Sequence, residues 1–256
     1  MKAEYNCKLL EAVRLTSGAY SFTIESNGMA ADMGGPGRFV HIKCGEGLLL
    51  RRPISVCDWS VEEDTLRLVF EVRGEGTLWL SRRKAGDSLD VLGPLGHGFD
   101  TAPEGRYLLV GGGIGVPPML GCARHGGKDS TAILGFRSGE HAMLLDDFSA
   151  ACSNVLIATD DGSMGRHGFV DALVREELEK DRNYTAVLAC GPKPMLRAVA
   201  RAAEEAGLPC QVSMEERMGC GVGACLVCAC KTKGGHYRHA CKDGPVFDAR
   251  EVDWDE

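Results

Sequence analysis

Leu109-Val110-Gly111-Gly112-Gly113-Ile114-Gly115-Val116-Pro117-Pro118 is the stretch that decides how this chain folds. An apolar run stops at three glycines, and prolines follow where a helix would begin. That order predicts a strand, a tight turn and a helix opening near Pro117, with backbone N–H groups free to face a phosphate. The stretch is not the dinucleotide fingerprint G-x-G-x-x-G. Val116 stands where the last Gly or Ala belongs, and no acidic residue ends the next strand. A plain strand-to-helix connection is the competing reading.

Downstream the same alternation continues. Apolar strands are predicted at 106–110, 131–136, 154–159, 185–190 and 211–214, with helices from 117 and over 140–151, 168–180 and 192–206. Helices between short apolar strands imply a parallel sheet covered on both faces. Upstream, residues 1 to about 100 read differently. Short strands at 20–24, 38–42, 66–72 and 88–92 are punctuated by Gly34-Gly35-Pro36-Gly37 and Gly93-Pro94-Leu95-Gly96, and only 77–85 looks helical. This pattern predicts a small barrel or sandwich. The last 40 or so residues lose the rhythm and read as a cysteine-rich loop region. Boundaries are expected near 100 and 212.

Composition narrows the function classes. The 256 residues carry 29 Lys+Arg against 36 Asp+Glu, a net charge of −7, with no long basic run. Such a chain is a poor binder of nucleic acid or anionic membranes. No apolar run approaches the roughly 18–20 residues of a membrane span. The polar start Met1-Lys2-Ala3-Glu4-Tyr5 lacks a signal-peptide core, so a cytoplasmic protein is expected. Cysteine is the anomaly, at 12 residues. In a reducing compartment that density argues for a metal or redox site over disulfides.

The cysteines concentrate in Cys220-Gly-Val-Gly-Ala-Cys225-Leu-Val-Cys228, with Cys241 downstream. The spacing C-x4-C-x2-C…C is that of plant-type [2Fe–2S] ferredoxins. A four-cysteine zinc site is the alternative, although zinc sites usually bring two C-x2-4-C knuckles. Cys230 rivals Cys241 as fourth ligand but lies only two residues beyond Cys228. Elsewhere, Arg51-Arg52-Pro53-Ile54-Ser55, expected at a strand end, and Gly74-Glu75-Gly76-Thr77 before a helix offer a guanidinium, a hydroxyl and a glycine loop suited to phosphates. They also read as a surface basic pair and an ordinary helix start. Ala189-Cys190-Gly191-Pro192-Lys193-Pro194-Met195 repeats the strand–glycine–helix pattern. It puts a thiol at a strand's carboxyl edge, where ligands of open α/β sheets bind, or where a small hydrophobe is simply buried.

The order RRPIS and GEGT, GGGIGVPP, CGPKPM and a final ferredoxin-type cysteine set resembles the ferredoxin–NADP reductase superfamily. Within it, Met214-Glu-Glu-Arg-Met-Gly-Cys220-Gly-Val-Gly-Ala-Cys225 and Cys241-Lys-Asp-Gly-Pro-Val-Phe247 resemble the electron-transfer subunits of NAD-dependent (class B) dihydroorotate dehydrogenases, essentially end to end. The resemblance implies a multi-domain β plus α/β protein. A six-stranded antiparallel FAD-binding barrel would occupy 1–100, a parallel-sheet NAD-binding domain 101–212 and a [2Fe–2S] domain 213–256. FAD would be held by Arg52, Pro53, Ile54, Ser55, Phe70, Glu71, Val72, Gly76 and Thr77. NAD would lie against Gly111, Gly112, Gly113, Ile114, Gly115, Asp160, Cys190, Gly191, Pro192 and Met195, with Cys190 near the nicotinamide as a catalytic candidate. Cys220, Cys225, Cys228 and Cys241 would ligate the cluster. The loop 229–240 looks short for such a set.

The implied activity is oxidoreductase work in pyrimidine (UMP) biosynthesis. An FMN-containing catalytic subunit, expected as partner in a heterotetramer of two of each chain, would oxidise dihydroorotate. This chain would relay the electrons through [2Fe–2S] and FAD to NAD+. A related subunit of an NADP–ferredoxin transhydrogenase or a sulfide dehydrogenase, and a non-enzymatic zinc-binding scaffold, are the other readings.

Overall fold

Alternation of buried and half-buried side chains closes the first part of the chain into a barrel. The computed structural model describes residues 3–255. Six strands, β1 (Ala3–Arg14), β2 (Ala19–Glu25), β3 (Phe39–Ile42), β4 (Arg52–Ser60), β5 (Thr65–Glu71) and β6 (Ser88–Leu95), pair antiparallel in the order β1-β2-β5-β4-β3-β6. Phe22 and Ile24 of β2 meet Leu66, Leu68 and Phe70 of β5 in the interior, and Phe22 and Phe70 pack edge to face at 5.0 Å. Each such buried side chain contributes about 1.5–3 kcal/mol over leaving it exposed. Helix α1 (Glu75–Ser81) follows β5.

Three expectations from the sequence change here. The RRPIS motif opens β4 instead of ending a strand, because Arg52–Ile42 and Ile54–Val40 are register partners across the β3–β4 ladder. Gly93-Pro94-Leu95 is strand, not turn: β6 runs through it to pair with β1 and β3. The helix starts and ends about two to four residues earlier than 77–85, since the Thr77 hydroxyl caps the N–H groups of Arg73 and Gly74.

The second sheet has the order β10-β9-β8-β7-β11-β12-β15. Its strands are β7 (Tyr107–Gly112), β8 (Thr131–Phe136), β9 (Asn154–Thr159), β10 (Arg166–His167), β11 (Ala186–Cys190), β12 (Cys210–Ser213) and β15 (Val246–Asp248). Helices α2 (Val116–His125), α3 (Leu145–Ala151), α4 (Val170–Lys180) and α5 (Lys193–Glu205) cover it. All pairings are parallel except β12 with β15. Within the expected cysteine-rich loop the structure also forms a hairpin, β13 (Ala229–Lys231) and β14 (Tyr237–His239). The segment after 212 is thus not separate: β15 completes the central sheet, and Phe247 shares a core with Phe39, Leu95, Cys228 and Cys241.

Barrel and sheet are locked by mixed polar and ring contacts. Trp59 of β4 stacks on His125 of α2 at 3.7 Å. Asp58 accepts from His125 at 2.7 Å and from Arg124, which also reaches Asp147 of α3 at 2.6 Å. Arg67 of β5 holds the same Asp147 at 2.9 Å. Burial works against the Asp58 charge, but His125 and Arg124 outweigh it and keep the carboxyl below its usual range. Among the described residues no helix is long and apolar enough to cross a membrane.

Candidate functional site

The strand order of the central sheet reverses at β7 and β11: the chain runs outward from β7 through β8 and β9, then returns to β11 and β12. Open α/β sheets bind ligands in the crevice at such a switch point. Here the carboxyl ends of β7 and β11 face the barrel across a cavity of about 660 Å³. The barrel supplies Pro53, Ile54, Ser55, Phe70, Glu71 and Thr77, and the sheet supplies Gly112, Gly113, Ile114, Gly115, Asp160, Cys190, Gly191, Pro192 and Met195. Two groups of residues that the sequence separates by at least 35 positions therefore share one space.

Four expected residues stand outside that lining. Gly111 is buried under the turn, where a Cβ would meet Val116 Cα at 2.8 Å. Val72 uses its N–H on Gly18 O, 2.9 Å away. Arg52 lies across Gly76, where any side chain would collide with its guanidinium, and donates to Leu50 O. RRPIS and GEGT thus meet at the rim, where a side chain on residue 76 would make the Arg52 guanidinium move. The phosphate argument also shifts. Pro117 and Pro118 carry no N–H and Val116 N–H donates to Gly113 O, so donors at this turn come from the glycine segment and not from α2.

Several lining residues escaped the sequence reading, among them Phe39, Arg73 and Phe169. Arg73 bridges Glu71 at 2.9 Å and Glu215 at 3.1 Å, tying the barrel to the segment before the cysteines. Phe169 is 70% exposed at the cavity edge, a large ring left without cover. Only side-chain exposure marks it, and sequence does not carry that signal. Burial, opposed by a Ser213 hydrogen bond, pushes the Cys190 thiol up to about 12, so it sits in the cavity as a neutral thiol.

The cysteine loop folds around its own sulfurs. Val222 N–H and Ala224 N–H donate to Cys220 Sγ at 3.4 and 3.2 Å, Gly223 N–H to Cys241 Sγ at 3.1 Å, and Cys241 N–H to Cys228 Sγ at 3.4 Å. Burial raises the Cys220 thiol, but the N–H groups of Val222, Ala224 and Cys225 and a bond to the Cys225 side chain overcome it and bring it to about 6. Burial and the neighbouring Cys228 push Cys241 up to about 12. The four thiols meet as two pairs, 220 with 225 and 228 with 241. Among the described residues no three His, Cys, Asp or Glu side chains close tightly enough for a single metal ion. N–H groups aimed at sulfur are the surroundings a thiolate-bound cluster needs, and they fit the group. Cys230 is buried in β13, its thiol pushed to about 12 by burial and by Glu216.

The barrel, the switch-point cavity and the thiol loop together define an electron-transfer flavoprotein of the ferredoxin-reductase type. The ferredoxin reductase of carbazole 1,9a-dioxygenase has the same fold, with a TM-score of 0.67 at 20% identity over 81% of this chain and 67% of that one. A chain of the NADH-dependent reduced ferredoxin–NADP oxidoreductase superposes with a TM-score of 0.87 at 32% identity, covering 100% of this chain and 92% of that one. Residues 109–201 match the oxidoreductase NAD-binding domain, and 215–253 the iron–sulfur cluster binding domain of dihydroorotate dehydrogenase B. The electron transfer subunit of dihydroorotate dehydrogenase B (NAD(+)) from Geobacillus thermodenitrificans is 44% identical over 91% of this chain and 92% of its own length. That from Caldanaerobacter subterraneus is 40% identical over 98% and 99%. The chain belongs to the family of electron transfer subunits of NAD-dependent dihydroorotate dehydrogenase B.

Proposed function

We propose that this chain carries electrons from an FMN-containing dihydroorotate dehydrogenase subunit to NAD+, as part of pyrimidine biosynthesis. The observation that carries the reading is the single cavity shared by RRPIS-barrel and glycine-turn residues, with the thiol loop tied to its rim through Arg73 and Glu215. FAD, when bound, exchanges one-electron transfers with the cluster for a two-electron transfer to nicotinamide. The protein's part is placement. Pro53, Ile54, Ser55, Phe70, Glu71 and Thr77 shape the flavin side, with Arg52 and Gly76 at its rim. Gly112, Gly113, Ile114, Gly115, Asp160, Gly191, Pro192 and Met195 shape the nicotinamide side. Gly111 supports that turn from beneath, Val72 supports the flavin wall through its backbone, and neutral Cys190 lines the cavity at the end of β11. Cys220, Cys225, Cys228 and Cys241 hold the cluster. The proposed functional units are 1–100 for FAD, 101–212 for NAD and 213–256 for the cluster, with β15 of the last lying in the sheet of the second. None of the 12 cysteines forms a disulfide, as a reducing cytoplasmic location would require.

Purified protein should show flavin and iron–sulfur bands and reduce an artificial dye with NADH. A colourless protein holding zinc would instead establish a structural scaffold. The 32% identical oxidoreductase chain keeps a second reading open, service to a ferredoxin-linked complex. NAD-linked dihydroorotate oxidation with the FMN subunit separates the two.

NADH should be preferred over NADPH. Asp160 lines the nucleotide side of the cavity. A carboxylate about 6 Å from a 2′-phosphate repels it by roughly 2–3 kcal/mol at an effective dielectric near 20, before salt screening. Arg137 in the same wall offsets part of this. The expected preference in kcat/KM is about ten- to a hundredfold, narrowing in Asp160→Asn. Comparable kcat/KM for the two nucleotides in the dye assay would refute it.

A further inference from the structure

We propose that His41 is a hydrogen-bond donor to the iron–sulfur centre and raises its reduction potential. The inference rests on the cluster lying at the four cysteines named above. In β3, Val40 and Ile42 point into the barrel, while Phe39 belongs to the core shared with the sheet and with Cys228 and Cys241. The period of two sends His41 outward with Phe39. Its side chain is fully buried, and neither Nδ1 nor Nε2 has a hydrogen-bond partner. Apart from Arg83 Nε, no other buried side-chain nitrogen or oxygen among the described residues is left so. A buried polar group without a partner is a net loss that a leucine at the same place would avoid.

What the ring touches points to its acceptor. A Cβ on Gly221, whose φ is +71°, would lie 2.9 Å from both Nδ1 and Cε1 of His41. Gly221 follows Cys220 and leads into the N–H groups of Val222, Gly223 and Ala224 that donate to Cys220 and Cys241 sulfurs. The imidazole is therefore packed against the turn that carries the thiols, and it keeps an N–H to give in either neutral tautomer. The Phe39 ring lies 5.7 Å from the imidazole and lines the proposed flavin cavity. A thiolate-bound cluster is anionic and gains a further negative charge on reduction. A donor to its sulfurs stabilises the reduced form more and raises the potential.

The test uses the protein loaded with FAD and cluster, titrated electrochemically and followed by electron paramagnetic resonance. His41→Leu should keep iron, sulfide and flavin at wild-type content. Its cluster reduction constant should fall about tenfold or more, which for one electron is 59 mV, while that of the flavin changes less than twofold. His41→Asn, which retains a donor, should recover part of the shift. With 15N-histidine labelling, pulsed resonance on the reduced cluster should show a nitrogen coupling that His41→Leu removes. An unchanged potential in an iron-replete His41→Leu would overturn the proposal. If His41→Leu loses its iron, the wild-type coupling decides: its absence overturns the proposal and its presence supports it. Wild-type protein lacking iron and sulfide would refute the cluster reading itself.

Discussion

Serine at position 241 should yield a protein that keeps its flavin but has almost no iron or acid-labile sulfide. Serine at position 230 should retain both. The two cysteines are eleven residues apart and equally buried to the eye, but their surroundings differ. Cys241 receives the N–H of Gly223 on its sulfur and directs its own N–H to Cys228 Sγ, so its backbone and side chain both belong to the thiol loop. Cys230 lies in β13, its thiol points to Cys228 O at 3.9 Å, and Glu216 lies beside it. Removing even an outer partner of a metal ligand costs about 10–100-fold in affinity, and removing a thiolate ligand costs more. For Cys241→Ser, iron bound per flavin should therefore fall by at least a hundredfold under chelator challenge. Cys230→Ser buries a hydroxyl in an apolar core and should lower stability by about 1–3 kcal/mol, visible as a lower melting temperature without loss of colour. The opposite pattern, with an empty 230 variant and a coloured 241 variant, would transfer the fourth ligand to Cys230.

What could be read beforehand follows from how local each signal is. The strands 131–136 and 154–159 coincide with β8 and β9, because each is a short apolar run between turn residues. The cysteine spacing stands out for the same reason. β1 escaped because Ala3–Arg14 is polar along much of its length and buries Cys7 and Leu9 against strands far along the chain. β15 has only three residues, and its strand character comes from pairing with Gln211, Val212 and Ser213, some 35 positions earlier. The same limit applies to the site. RRPIS and GGGIGVPP are visible as motifs, but that they face one cavity depends on how α2 docks on β4 through Asp58, Trp59, Arg124 and His125. His41 reads as an ordinary strand residue, and its missing hydrogen-bond partners are a property of three dimensions alone.

Dihydroorotate oxidation should be absent from this chain alone and appear as NAD-linked activity when the FMN subunit is added. The 660 Å³ cavity is the one proposed above for flavin and nicotinamide, so the chemistry on dihydroorotate is expected in the partner. Docking should occur at the cysteine loop. Val222, Leu226 and Val227 are 39%, 63% and 54% exposed, and Cys225 beside them is exposed as well. Apolar side chains held in water next to a redox centre form the uncharged core expected of an interface. Leu226 has a φ of 61°, so the loop bears a strained residue at its tip to present this side chain outward. A glutamate there meets the same backbone strain and stays solvated in the free chain, so folding and flavin content should not change. In the complex its charge would be stripped of water against an apolar surface. Loss of an interface anchor of this kind costs about 2 kcal/mol or more, a weakening of roughly thirtyfold in Kd. Leu226→Glu should thus lose co-purification with the FMN subunit and NAD-linked dihydroorotate oxidation together, while NADH-dependent dye reduction by the free chain persists. Unchanged co-purification of Leu226→Glu would move the interface elsewhere, and unaided dihydroorotate oxidation by the wild-type chain would end the relay assignment.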